Sequence, residues 1–207
     1  MSQTSRVDWP GTAAAAVVAY ALGSLSPAAA AARLRGVDLR SSGSGNPGAT
    51  NAARAMGVKV GVVVGALDMA KGYVPVAYFR RYGAPAAEVA GLAAVLGHVS
   101  SPLLKGHGGK GVATSLGAIL AIEPLWALPV LAGFGATVAV THQVGVGSVA
   151  GSLTLVPTSL VIWRGWSGVG FAAGMSVLVV YRHRRNLQAF AADLRASRTG
   201  ADGADAA

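Results

Sequence analysis

The 207-residue chain contains no cysteine. Disulfides, thiolate metal sites and cysteine nucleophiles are therefore excluded. Charge is scarce: Asp, Glu, Lys and Arg make up 12% of the residues, against roughly 25% in an ordinary soluble domain. A soluble chain with so little charge would struggle to cover its surface. Aromatic residues are 6%, too sparse for the stacking platforms of single-strand binders. Acidic residues are the scarcer sign, 8 against 17 basic ones, which leaves a net charge of +9. What is present is apolar: 53% hydrophobic residues and a mean hydropathy of +0.51. The composition predicts an all-α integral membrane protein. A spanning helix needs about 20 mostly apolar residues, so the chain has room for at most about eight or nine.

The apolar runs predict the crossings. Residues 12–32 are uncharged, too long a run for the 7–15-residue apolar core of a signal peptide. Further runs cover 58–79, 84–104, 125–141, 148–163 and 166–181, and a short one covers 111–122. Six full runs and one short one predict about seven transmembrane helices. Three polar islands separate them: 33–57, 105–114 and the stretch from Arg182 onward. With the N-terminus outside, one face collects twelve basic residues, including Arg33, Arg40, Arg54, Lys105, Lys110 and Arg182. The other face holds four: Arg6, Arg80, Arg81 and Arg164. The excess of basic residues on cytoplasmic loops in membrane proteins then places all three islands and the C-terminus in the cytoplasm. It also accounts for the net charge without nucleic acid. Residues 1–186 read as one membrane domain and 187–207 as a polar tail with a disordered end.

Two islands carry glycine turns with a cation nearby. The first reads Gly43-Ser44-Gly45-Asn46-Pro47-Gly48-Ala49-Thr50-Asn51, with Arg54 about one turn further on. Glycines permit positive φ and close backbone approach. Successive N–H groups in such turns form anion nests, and a helix starting near Thr50 adds its positive end. The bland alternative is a flexible turn, which needs no Arg. The second island, Gly106-His107-Gly108-Gly109-Lys110-Gly111, repeats the theme. It is not a nucleotide-binding P-loop, because Leu104 stands where the first glycine belongs and Gly111 replaces the metal-holding hydroxyl. Two Gly-plus-cation turns on one face point to phosphate.

The third island places His183 and Asn186 at i, i+3, facing together if helical. Its basic cluster also suits an anionic lipid surface. Asp68 and Lys71 share the same spacing inside an apolar run. Charges inside a membrane span are costly and mark function by default; a supporting ion pair and a direct substrate role both remain open. His98 reads as structural or as a supporting donor. No His and acidic residues have zinc-site spacing, so no metal and no cofactor is expected.

Taken in order, SGSGNPGATNAARAMG, LDMAKG, LGH followed by GGKGVAT, VGVGS and HRRNL resemble the bacterial membrane glycerol-3-phosphate acyltransferases that use acyl phosphate, the PlsY family. The resemblance runs from about Asp38 to Asn186. It implies seven helices, with the N-terminus outside and the active site at the cytoplasmic face of the bacterial inner membrane. It implies transfer of a fatty acyl group from acyl phosphate to the 1-hydroxyl of sn-glycerol 3-phosphate, giving lysophosphatidic acid and phosphate. The family's catalytic positions match Ser44, Arg54, Lys110, His183 and Asn186. Substrate binding would fall on Gly43, Gly45, Asn46, Gly48, Thr50, Asn51, Gly108, Gly109, Gly111 and Ser148. There are departures: His107 replaces a Lys, His142 and Gln143 replace an Arg-Tyr pair, and Gly145 replaces a Ser. Asp193 and Arg195 stand where the family carries Gly and Glu.

An acyl phosphate is already an activated carbonyl, so positioning and fixed donors carry most of the catalysis. Arg54, Lys110 and glycine N–H groups suit two phosphates and a developing oxyanion; Ser44, His183 and Asn186 suit glycerol hydroxyls. The proton acceptor is His183 or a substrate phosphate oxygen. The phosphate is favoured because no His–carboxylate dyad is visible. No histidine is followed five positions later by Asp, which argues against the acyl-thioester class. The rivals are a small transporter of a phosphorylated solute, which would favour an internal repeat, and a regulatory lipid-binding protein.

Overall fold

The computed structural model describes residues 7–204. Its described secondary structure is entirely helical. In a bilayer, backbone N–H and C=O groups have no water to bond, so a spanning segment must satisfy them internally, as a helix does. α1 (Trp9–Ser24) and α2 (Pro27–Leu34) share the first apolar run. The run was expected to be continuous, but Pro27 interrupts it. Pro27 has no N–H to give and takes the first position of α2, where Ser26 caps the helix by accepting from Ala29 N at 3.2 Å. α3 (Ala49–Met56) follows the first glycine turn. α4 (Val58–Phe79) has the predicted bounds, and α5 (Ala84–Ser100) fills most of the next run.

α6 (Val112–Ile122) is the predicted short helix, and α7 (Ala127–Thr141) follows the Glu123-Pro124 turn. α8 (Val144–Leu153) and α9 (Leu155–Val161) form one span that begins four residues before the expected 148. α10 is Gly165–Arg182 and α11 is Arg184–Ala204. α11 runs to Ala204; the expected disordered end falls on the chain's last residues, of which 205–207 lie outside the described residues. Among the described residues, five segments are long and apolar enough to cross a membrane: Trp9–Leu34, Val58–Tyr82, Ala84–Leu104, Pro124–Thr141 and Val144–Val161.

α5 is the central column. It packs against α1, α4, α6 and α10, and most of its residues are buried. Its small residues allow the close approach. A side chain at Gly97 would strike the carbonyl of Tyr20, and one at Gly23 would strike that of Ala94. α4 and α6 repeat this reciprocally, Gly72 against the Thr114 carbonyl and Gly117 against that of Met69. Lipid tails are as apolar as side chains, so helices in a bilayer associate by such close packing and not by the hydrophobic effect. Many branched apolar residues face outward: Val17, Val62, Leu128, Val140 and Val177 are all exposed, while Trp126, Phe171 and Met175 are buried in the core.

Candidate active site

The first glycine turn is folded around one buried side chain. Asn51, in the first turn of α3, accepts from the Ser44 N–H at 3.1 Å through Oδ1. It donates through Nδ2 to the Leu39 carbonyl at 3.0 Å. Gly43 and Gly45 have φ of +52° and +66°, which a side chain would strain. A Cβ at Gly43 would also lie 2.6 Å from Asn51 Oδ1. The loop therefore holds Ser44 in place and delivers the chain into α3.

The second turn is clamped from two sides. On one side the Gly109 N–H donates to the His98 carbonyl at 3.1 Å, and the glycine rests on the His98 imidazole. On the other, the Arg182 guanidinium donates to the carbonyls of Gly108, at 2.9 Å, and Gly109, at 3.1 and 3.2 Å. Gly111, at φ +82°, then starts α6. Lys110 sits between these fixed points, and its Nζ donates to Asn186 Oδ1 at 2.8 Å.

His183 closes the arrangement. It was expected to face the same way as Asn186 if helical. It forms the joint between α10 and α11, its N–H bonding back to α10 and its carbonyl accepting from the Leu187 N–H at 3.0 Å, and both residues line the same cavity. Its ring is buried. Nδ1 donates to the Val179 carbonyl at 2.9 Å, which leaves Nε2 as the acceptor nitrogen. Burial pushes the imidazole pKa down, and the charges of Lys110 and Arg182 push the same way against the Val179 hydrogen bond. Burial also lowers the pKa of Lys110, helped by the charges of Arg182 and Arg54. The site thus holds a neutral imidazole beside a concentration of positive charge.

All three islands open into one cavity of about 590 Å³. Ser44, Asn46, Gly48, Thr50, Asn51, Arg54, Lys110, Gly111, Ser148, His183 and Asn186 line it, as do His142 and Gln143. The N-termini of α3, α6 and α8 all contribute to its wall, and none has a side-chain cap. The first N–H groups of a helix have no partner within it, and a helix N-terminus attracts anions. Three such ends with Arg54 and Lys110 make the polar part suited to more than one anionic group. An apolar arm of the cavity runs between α6, α7, the α8–α9 span and α10 past Leu116, Ile119, Phe134, Leu155 and Met175. No three His, Cys, Asp or Glu residues cluster as metal ligands among the described residues.

Four of the expected substrate-binding glycines stand elsewhere. Gly43, Gly108 and Gly109 do not line this cavity, because their faces are taken by Asn51 and His98. Gly45 lines a separate cavity of about 350 Å³ with Arg33, Arg40 and His107. Asn51 lines the main cavity, but both its polar atoms are committed to the loop. Ser148 Oγ donates to the Val144 carbonyl at 2.8 Å, which leaves it an acceptor. At the Gly145 departure, a Cβ would lie 2.7 Å from Asn186 Nδ2, so the missing side chain makes room for Asn186. Sequence reasoning missed the uncapped start of α8, hidden because the apolar run begins later. It also missed that Asp68 and His98 line the cavity wall together, 3.5 Å apart.

The sequence model described as glycerol-3-phosphate acyltransferase matches residues 13–193. The glycerol-3-phosphate acyltransferase of Myxococcus xanthus is 43% identical over 180 residues, covering 85% of this chain and 94% of that protein. The one from Geobacter sulfurreducens is 40% identical over 173 residues, covering 83% and 89%. Two crystal structures of PlsY, an integral membrane glycerol 3-phosphate acyltransferase, are similar over 88% of this chain and 92% of theirs. The glycerol 3-phosphate form has a TM-score of 0.84 at 34% identity, and the lysophosphatidic acid form 0.82 at 32%. With these matches spanning both glycine turns, the His183 joint and the helical frame between them, the chain belongs to the glycerol-3-phosphate acyltransferase family.

Proposed function

We propose that this chain moves a fatty acyl group from acyl phosphate to the 1-hydroxyl of sn-glycerol 3-phosphate, releasing lysophosphatidic acid and phosphate. One observation carries the reading. A single cavity joins two cations and three uncapped helix N-termini to an apolar arm between membrane helices. Both substrates bear a phosphate and one bears an acyl chain, and this cavity offers a place for each. The Myxococcus and Geobacter relatives carry the same enzyme name, and the PlsY structures hold the acceptor and the product.

In the reaction, the hydroxyl oxygen attacks the acyl carbon and the carbon–oxygen bond to phosphate breaks. Arg54, Lys110 and the helix N–H groups hold the phosphates and the oxyanion. Ser44, His183 and Asn186 orient the glycerol moiety. A phosphate oxygen of the acceptor takes the hydroxyl proton, and the neutral His183 positions the hydroxyl through its open Nε2. Direct transfer needs no acyl-serine and no metal or organic cofactor.

Seven crossings follow if α6 and α10 join the five longer segments. The basic islands then face the cytoplasm, the N-terminus lies outside, and the membrane is the bacterial inner membrane. Residues 1–186 form the membrane unit, and 187–207 form a cytoplasmic appendage. Purified protein given palmitoyl phosphate and glycerol 3-phosphate tests the reading. Lysophosphatidic acid is the expected product; none from folded protein overturns it.

A further inference from the structure

Inside the membrane frame, a chain of polar contacts leads to the second glycine turn from α4. Lys71 Nζ donates to the Leu25 carbonyl at 2.6 Å, where α1 breaks into α2, and pairs with Asp68 Oδ1 at 3.1 Å. The same Asp68 oxygen faces His98 Nδ1 at 3.5 Å. Asp68 is 2% exposed and His98 6%, so neither is a solvated surface charge. The other edge of the His98 ring lies under Gly109, and a Cβ there would overlap Nε2. Ring atom Cδ2 lies 4.0 Å from where a Cβ would stand on Gly111. Lys110 is the residue between those two glycines.

The imidazole is thus the floor of the turn that carries the cavity's lysine, and the carboxylate faces the ring's far nitrogen, both atoms buried. The backbone bond from Gly109 to the His98 carbonyl fixes the height of the turn, and the ring fixes its tilt. Buried charges in a membrane span are costly; here the cost is met where it orients a working group. We propose that Asp68 and His98 are positioning residues for Lys110: the carboxylate holds the imidazole, and the imidazole sets the Gly109–Gly111 turn so that the ammonium meets Asn186 and a substrate phosphate. This rests on the acyltransferase reading of the cavity and adds a role that the reaction chemistry does not require of either residue.

A binding cycle in detergent-solubilised full chain tests it, with glycerol 3-phosphate affinity read by calorimetry beside turnover of palmitoyl phosphate. His98→Gln keeps a polar end at the Nε2 position but loses the atom facing Asp68. His98→Asn keeps an amide at the Nδ1 position. The expected loss for His98→Gln is about tenfold to hundredfold in affinity, the scale of a misplaced contact. His98→Asn, which keeps the end facing Asp68 but loses the ring edge under Gly109, is expected to lose about as much. In a Lys110→Ala background, His98→Gln costs little more, because residues that act through one contact are not additive. Full additivity with Lys110→Ala, or near-wild-type affinity of either His98 variant in folded protein, overturns the proposal. Asp68→Asn runs the same cycle, and carries the test where His98→Gln does not fold. If the wild type neither binds glycerol 3-phosphate nor turns over, the acyltransferase reading fails instead, before any variant is compared.

Discussion

Lys110 and Asn186 stand 76 residues apart, and a 2.8 Å hydrogen bond joins the ammonium to the amide oxygen. The bond ties the second glycine turn to the first turn of α11. It orients a cation that has lost part of its hydration through burial. An oriented, partly dehydrated cation binds phosphate better than a solvated one, because the field it exerts is less screened.

Removing the ammonium should therefore cost more than removing its orienting partner. Lys110→Ala is expected to lower kcat/KM by about a hundredfold or more, the scale of a lost oxyanion donor. Asn186→Ala is expected to cost about tenfold, since the charge stays while its position loosens. Steady-state kinetics with both substrates check the order of the two effects.

Arg182 bonds two glycine carbonyls at once. A lysine cannot reproduce that planar fork. Arg182→Lys is expected to keep the fold but loosen the turn, raising KM for the phosphorylated substrates with a smaller change in the thermal midpoint. An unchanged KM would show that His98 alone holds the turn.

Gly43→Ala is expected to fail for two reasons in one place. Its φ of +52° disfavours any L side chain, at about 1–2 kcal/mol. The new carbon would also displace Asn51 Oδ1 and so release the Ser44 N–H. A lowered melting temperature together with lost activity is the expected result. Gly36→Ala, at a positive φ with open space around it, should show the backbone cost alone.

His183 makes stability depend on pH. Its pKa in the folded protein lies below the ordinary 6.5, so the unfolded state binds the proton more readily. Stability is then full above about pH 6.5 and falls as pH drops from there through the folded value. Thermal melts between pH 5 and 8 in detergent should show this slope, and His183→Gln should flatten it. The same variant reports on the proton. Near-normal turnover would leave the substrate phosphate as the acceptor.

The orientation has its own check. A tag at the C-terminus is expected to be reachable only from the cytoplasmic side. Reach from outside alone would invert the proposed topology.

Much of this was written locally in the chain. The scarcity of charge and the length of the apolar runs determined a helical membrane protein, because a bilayer admits few other backbones. The bounds of α4 and the shortness of α6 were legible for the same reason. That Ser44, Arg54 and Lys110 stand together was legible from glycine turns with a cation at short spacing; His183 and Asn186 were singled out by their i, i+3 spacing and the family resemblance, and one cavity takes in all five. What the tertiary structure alone decided lies between distant segments. It put Asp68 beside His98, from α4 and α5, where no sequence spacing shows a dyad. It turned Gly108 and Gly109 away from the cavity, because Arg182 and His98 hold them from either side. It brought the uncapped start of α8 to the polar end of the cavity and opened the apolar arm between α6, α7 and α10. Such relations depend on which helices pack together, and close packing of small residues sets that only once the whole bundle has formed.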